Sequence, residues 1–306
     1  VPALVTAIAS ARALGDEAAE QRALASLEAE DGEAARQARA EALLQQGNSG
    51  AALALLQAAA EPPAPALRLL RMRAALAEAE ALAALADLRA LKAAGVSLPD
   101  ALELEVHCAL LRHAPDLQAL QLRLAELPRA QRSQVPIAAA FSARARSFDA
   151  AALADDAVEQ ALRKQWDEAL VADYGRAAQG NQRERIRTAE GWLQAHPDSA
   201  ALQLALGRLC RIDGLWGKAE AHLLRASQGR FAAEAWEELA LALVAQGEEA
   251  RARQALQNAL AARRGQAVSA LAPRPRSLAS TGSEAIERRS TMGVPLLADG
   301  SAPEAD

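Results

Sequence analysis

The sequence predicts an all-α protein built as a right-handed solenoid of antiparallel helix hairpins, and three observations point there. The first is composition. The 306-residue chain is 51% hydrophobic but only 3% aromatic, because alanine dominates, and alanine combines the best helix propensity with no rotamer entropy to lose. The second is periodicity. Trp236, Leu239, Ala240, Leu243 and Val244 fall at i, i+3, i+4, i+7 and i+8, one face of a 3.6-residue helix, whereas alternating runs of strand formers do not occur. The third is repetition. Leu206, Gly207, Gly214, Ala219, Leu223 and Ala226 recur in the same order and spacing as Leu239, Ala240, Gly247, Ala252, Leu256 and Ala259. A period of about 34, small residues where two helices approach and a glycine at the turn form the tetratricopeptide (TPR) pattern. An alanine-lined core buries little area per residue. At about 25 cal/mol per Å2, its stability must come from many close helix contacts.

In chain order, residues 1–30 predict a hairpin turning at Gly15 and Asp16. Residues 33–60 predict another around Gln46–Gly50, where Gly47, Ala52, Leu56 and Ala59 repeat the spacing of Gly247, Ala252, Leu256 and Ala259. Pro62, Pro63 and Pro65 end it, since proline cannot continue a helix and restrains the residue before it. Residues 66–94 make a further pair closed by Gly95. Ser97–Asp100 then caps a helix running through Arg112, and Pro115 starts the next. Pro128 and Pro136 interrupt the repeat, which places a joint between Leu127 and Gln134. The chain thus divides into an N-terminal hairpin region, 1–127, and a C-terminal region, 128–264, with TPR-like repeats at about 199–262. Helices are expected over 149–163, 166–178 and 182–195. On the last helix Ala252, Leu256, Ala259 and Leu260 share the expected core face. Residues 265–306 are polar, rich in Pro, Gly and Ser, and without period, which predicts a disordered tail.

Several function classes are excluded early. A net charge of −5 without clustered basic faces argues against nucleic acid. No run of about 18 apolar residues is present to cross a membrane. The chain has no GxSxG elbow, no GxGxxG, no GxxxxGK[ST], no CxxC and no CxxCH, so neither an enzyme, a resident cofactor nor a metal is expected. Cys108 and Cys210 sit in apolar helical patterns and read as buried free thiols. His107 and His113 are about 120° apart around one helix and cannot share a metal. Asp155 and Asp156 read as helix-start charges. Arg183, Arg185 and Arg187 read as a solvated basic face, with an acidic partner or anionic membrane surface as the alternative.

A narrower resemblance runs through the same stretch. Trp192-Leu193, His196-Pro197, Leu206–Cys210 and Leu215–Ala219 resemble the C-terminal half of the HemY family, bacterial membrane-anchored repeat proteins linked to haem biosynthesis. Trp166-Asp167, Leu170-Val171 and Tyr174-Gly175 fit the preceding segment of that family, and Arg68–Leu70 and Leu127–Arg129 fit further upstream. The likeness spans residue 1 to about 263 and is densest from Trp166 to Leu260. His222 and Phe231 depart from the tyrosines and prolines common in the family's repeats.

The resemblance implies an inner-membrane protein that organises or assists late haem-biosynthetic enzymes. It also implies an N-terminal anchor upstream of Val1, since a chain starting without methionine reads as part of a longer one. Unpaired thiols favour the cytoplasmic over the periplasmic face. A concave surface of stacked hairpins suits protein partners, so the expected function is a non-enzymatic interaction scaffold. Arg208, Arg211, Trp216 and Lys218 are its expected contact residues, the three cations being taken as exposed. The alternative is a haem or porphyrin carrier using His222 or His107 as axial ligand, and a third reading is a cell-envelope assembly factor.

Overall fold

The computed structural model describes residues 2–28, 32–58 and 63–274. Among them lie α-helices and no strand. In order these are α1 (Pro2–Leu14), α2 (Glu17–Glu28), α3 (Glu33–Gln45), α4 (Ser49–Gln57), α5 (Pro65–Ala77), α6 (Ala81–Ala93), α7 (Asp100–Arg112), α8 (Leu117–Glu126) and the short α9 (Arg129–Arg132). They continue with α10 (Val135–Arg146), α11 (Ala151–Lys164), α12 (Glu168–Tyr174), α13 (Gln182–Trp192), α14 (Ala200–Ile212), α15 (Trp216–Ala226), α16 (Ala232–Ala245) and α17 (Glu249–Arg263). Of the tail expected over residues 265–306, residues 275–306 lie outside the described residues.

Local chemistry explains where the helices start and stop. Asn48, Asp116, Asp167, Asn181 and Ser199 each turn a side-chain oxygen onto a backbone N–H of the first turn that follows, which satisfies a donor the helix leaves open. The turns of three hairpins close alike. Asn48 N–H donates to Leu43 O at 2.9 Å, Leu215 to Cys210 at 2.8 Å and Glu248 to Leu243 at 2.9 Å. Gly47, Gly214 and Gly247 stand in between at φ 76°, 75° and 74°, the left-handed step this closure requires. The α5–α6 turn makes the same closure, Glu80 to Ala75 at 2.8 Å, but with Ala79 at φ 62°, which costs roughly 1 kcal/mol in an L-residue. No sequence signal marks that position.

Sequence neighbours pack most closely, in the pairs α1–α2, α3–α4, α5–α6, α10–α11, α14–α15 and α16–α17, and α7–α10, α12–α14 and α14–α16 bridge between pairs. Small residues permit the approach. A Cβ on Gly175 would lie 2.4 Å from Ala205 Cα, and one on Gly207 would lie 2.5 Å from Leu223 Cδ2. One core cluster joins Cys108, Leu111, Leu120 and Leu127 to Ile137, Phe141 and Ala154, so packing runs straight across the 127/128 boundary. Arg132 clamps it further, donating to Leu127 O at 2.8 Å and Ala125 O at 2.6 Å. Cys108 and Cys210 are buried and unpaired, and burial pushes the Cys210 thiol up to about 11.

Three expectations are corrected. Val244, Leu256 and Leu260 were placed on core faces, yet they are exposed; α17 instead buries Arg251, Ala252, Ala255, Asn258 and Ala259. The chain after α17 also does not leave the fold at residue 265. Asn258 exchanges hydrogen bonds with the Ser269 backbone at 2.7 and 2.9 Å. Gln254 does the same with Ala270 O and Ala272 N at 2.7 and 2.9 Å. Arg251, Gln254 and Asn258 form a polar stripe at i, i+3, i+7 that serves as the missing pairing partner for this strap. Finally, Arg185 is not a solvated cation. It is buried beside Asp155, 3.4 Å away, with its guanidinium 4.7 Å from the Tyr174 ring. Asp155 itself is buried mid-helix and takes Arg146 at 2.6 Å. Burial raises the Asp155 carboxyl above its usual range despite both arginines. No described helix is long and apolar enough to cross a membrane.

Candidate functional site

The sequence-predicted contact residues do not share one surface: Arg208 and Arg211 turn toward α16, whereas Lys218 pairs with Glu190 on α13. Arg208 on α14 is only 4% exposed. Its guanidinium donates to Glu238 at 2.9 Å, to Glu234 at 2.7 Å and to the Ala172 carbonyl at 3.0 Å. Arg211 donates to the other Glu238 oxygen at 2.9 Å. Both arginines therefore bolt α14 to α16, and Arg208 reaches α12 as well; Arg208 is corrected from an exposed residue to a buried interlock. Its burial is tolerated because every charge brought inside finds an opposite one. Lys218 is exposed and pairs with Glu190 at 3.0 Å. Trp216 is half-buried at the start of α15. His222 is buried with Nδ1 2.8 Å from Gln203 Oε1, and burial lowers its proton affinity.

The residues that carried the family resemblance also converge. Trp166 stacks on His196 at 3.6 Å and meets Trp192 edge-on at 5.8 Å. Trp192 in turn lies 5.1 Å from Tyr174. Glu168 accepts from Trp166 Nε1 at 2.7 Å and from the Ser199 hydroxyl at 2.8 Å, which ties α12 to the start of α14. These side chains are packing elements of one junction.

A different region offers an open surface. Between α6, α7 and α8 lies a groove of about 540 Å3. Each helix contributes one stripe, because residues three and four apart share a face: Leu82, Leu85, Arg89 and Lys92 from α6, Glu103, His107 and Leu110 from α7, Leu122, Arg123 and Glu126 from α8. Leu82 is 65% exposed and Leu122 61%, so apolar surface faces water. Most rim charges are matched within the groove. Lys92 pairs with Glu103, Arg89 with Glu126 at 3.4 Å, and Arg123 donates to the Leu110 carbonyl. Burial lowers the His107 imidazole, with Lys92 and Arg89 adding to it against the pull of Glu103. Burial pushes the Glu103 carboxyl up, but hydrogen bonds from Lys92 and Gln131, with the charges of Lys92 and His107, together hold it below its usual range.

Of the predicted site residues, only His107 lines this groove. Its leucines were legible as apolar helix positions, but which of them lack a neighbour depends on how three helices diverge. Among the described residues no group of three or more His, Cys, Asp or Glu stands close enough to hold a metal ion. No family model matches the chain, and no curated protein matches it.

Proposed function

We propose that the chain is a non-enzymatic scaffold whose hairpins stack as a right-handed TPR-like solenoid and whose α6–α7–α8 groove holds a helix of a protein partner. The carrying observation is the groove itself: leucines open to water between walls where Arg89 pairs with Glu126 and Lys92 with Glu103, and Arg123 is held on the Leu110 carbonyl. Such a groove rewards an apolar stripe and offers little to an acidic or basic peptide, so the partner is an amphipathic helix docking by its apolar edge. The HemY resemblance makes that partner an enzyme of late haem synthesis at the bacterial inner membrane, with the chain held there by an anchor upstream. The test is site-specific photocrosslinking from position 122 in the full-length protein in cells. Capture of one defined protein, lost when Leu85→Arg is added, supports the proposal. Equal labelling with and without Leu85→Arg sinks it.

One observation favours a second reading. His107 sits in a leucine-lined groove beside Arg123, which donates to the neutral Leu110 carbonyl and not to a carboxylate; an imidazole, an apolar cleft and one unneutralised cation suit a porphyrin carboxylate. Hemin titration separates the two. A saturable Soret shift abolished by His107→Ala supports a carrier, and its absence supports the scaffold. His222, enclosed against Gln203, is the poorer ligand.

A further inference from the structure

The outer face of the last hairpin is apolar where a solvated end would be polar. Leu241 and Val244 on α16 are 55% and 59% exposed, and Leu256 and Leu260 on α17 are 49% and 53% exposed. The pairing of Arg263 with Glu237 shows that the two stripes lie side by side. Terminal units of stacked-hairpin proteins normally carry a polar outer face.

The repeat explains what these positions are for. One repeat earlier, the residues equivalent to Leu241 and Val244 are Arg208 and Arg211, and both of those bind the following hairpin through Glu234 and Glu238. The equivalent of Leu256 is Leu223, which is fully buried: it lies against Gly207 of its own hairpin, and its helix also packs on α16 of the following one. The equivalent of Arg253 is Glu220, which binds Arg251 of the following hairpin. The exposed face is therefore an inter-hairpin face with no described hairpin upon it.

Its chemistry selects an occupant. Glu249, Arg253, Leu256, Leu260 and Arg263 are all exposed and follow one another at spacings of four, three, four and three, the seam of a two-helix coil. An antiparallel copy of α17 centred on Leu256 sets Leu256 against itself. It sets Glu249 of each copy against Arg263 of the other, and lays the Arg253 stem along the partner copy's Leu260. The charges match only in the antiparallel sense, since a parallel pairing would oppose glutamate to glutamate. We infer that this face is a homodimer interface, formed by antiparallel pairing of α17 across a two-fold axis and flanked by Leu241 and Val244.

The experiment is sedimentation velocity of the complete chain up to about 100 µM, with circular dichroism as the folding control. The wild type should sediment as a dimer. Leu256→Glu and Leu260→Glu, both at exposed sites, should each give a helical monomer. Glu249→Arg and Arg263→Glu should each weaken the dimer at least tenfold, and the double exchange should restore it. Leu122→Arg in the groove should leave the dimer untouched, which keeps this interface separate from the proposed partner site. A monomeric wild type, a dimer that survives Leu256→Glu, or a double exchange that restores nothing overturns the inference.

Discussion

Replacing Arg208 by alanine tests whether that residue fastens hairpins together or waits for a partner. The substitution removes three hydrogen bonds, to Glu238, Glu234 and the Ala172 carbonyl. Bonds to charged groups contribute about 1.5–3 kcal/mol each, but the partners are not equally stranded. Glu234 is 38% exposed and keeps Arg176 at 3.3 Å. Glu238 keeps Arg211 at 2.9 Å. The Ala172 carbonyl loses its buried donor outright, and the arginine stem leaves a gap between α12, α14 and α16. The loss should therefore fall at the low end of that for a broken buried pair, about 3 kcal/mol. Helices that pack mainly on their sequence neighbours open locally, so a single melting temperature is a poor readout. Native-state hydrogen exchange is the better assay. Amides in α16 and α17 should exchange roughly 100-fold faster, at about 1.4 kcal/mol per tenfold, with α3–α6 unchanged. Protection in α16 unaltered to within threefold would refute the interlock and return Arg208 to the surface.

Two further predictions follow from packing and protonation. Gly175→Ala should destabilise by about 1–3 kcal/mol or more in chemical denaturation, since its new Cβ meets the Ala205 backbone at 2.4 Å, whereas Gly207→Ala should cost less because the Leu223 side chain it meets can move; equal losses would contradict this ranking. His107 has its proton affinity lowered by folding, so the unfolded chain takes up the proton more readily and stability must fall as pH drops below the ordinary imidazole value of 6.5. His107→Gln should flatten the decline of α7 amide protection in native-state hydrogen exchange between pH 7 and 5, and an unchanged slope would show that His107 does not contribute. Glu103, lowered by Lys92 and Gln131 against burial, adds a loss of the same sign at lower pH.

Much of the secondary structure was legible because it is set locally. The 3.6-residue spacing, the turn glycines Gly47, Gly214 and Gly247, and Pro65 at the first position of α5 act within a few residues of one another. The groove and the exposed end face were not legible, because a leucine obeys the same helical spacing whether its neighbour is another helix or water. Leu223 and Leu256 hold equivalent places in the repeat, yet one is buried and the other open.

Composition and periodicity alone determined that this chain is helical, alanine-lined and arranged in hairpins, since propensity and the backbone closure of each turn depend only on nearby residues. Tertiary structure alone decided which polar groups went inside. Arg208, Arg185 and Asp155 look like surface charges in the sequence, and only the partners brought from distant helices make their burial affordable. The same holds for residues 266–274, whose composition reads as a tail until Arg251, Gln254 and Asn258 supply the hydrogen bonds that hold it.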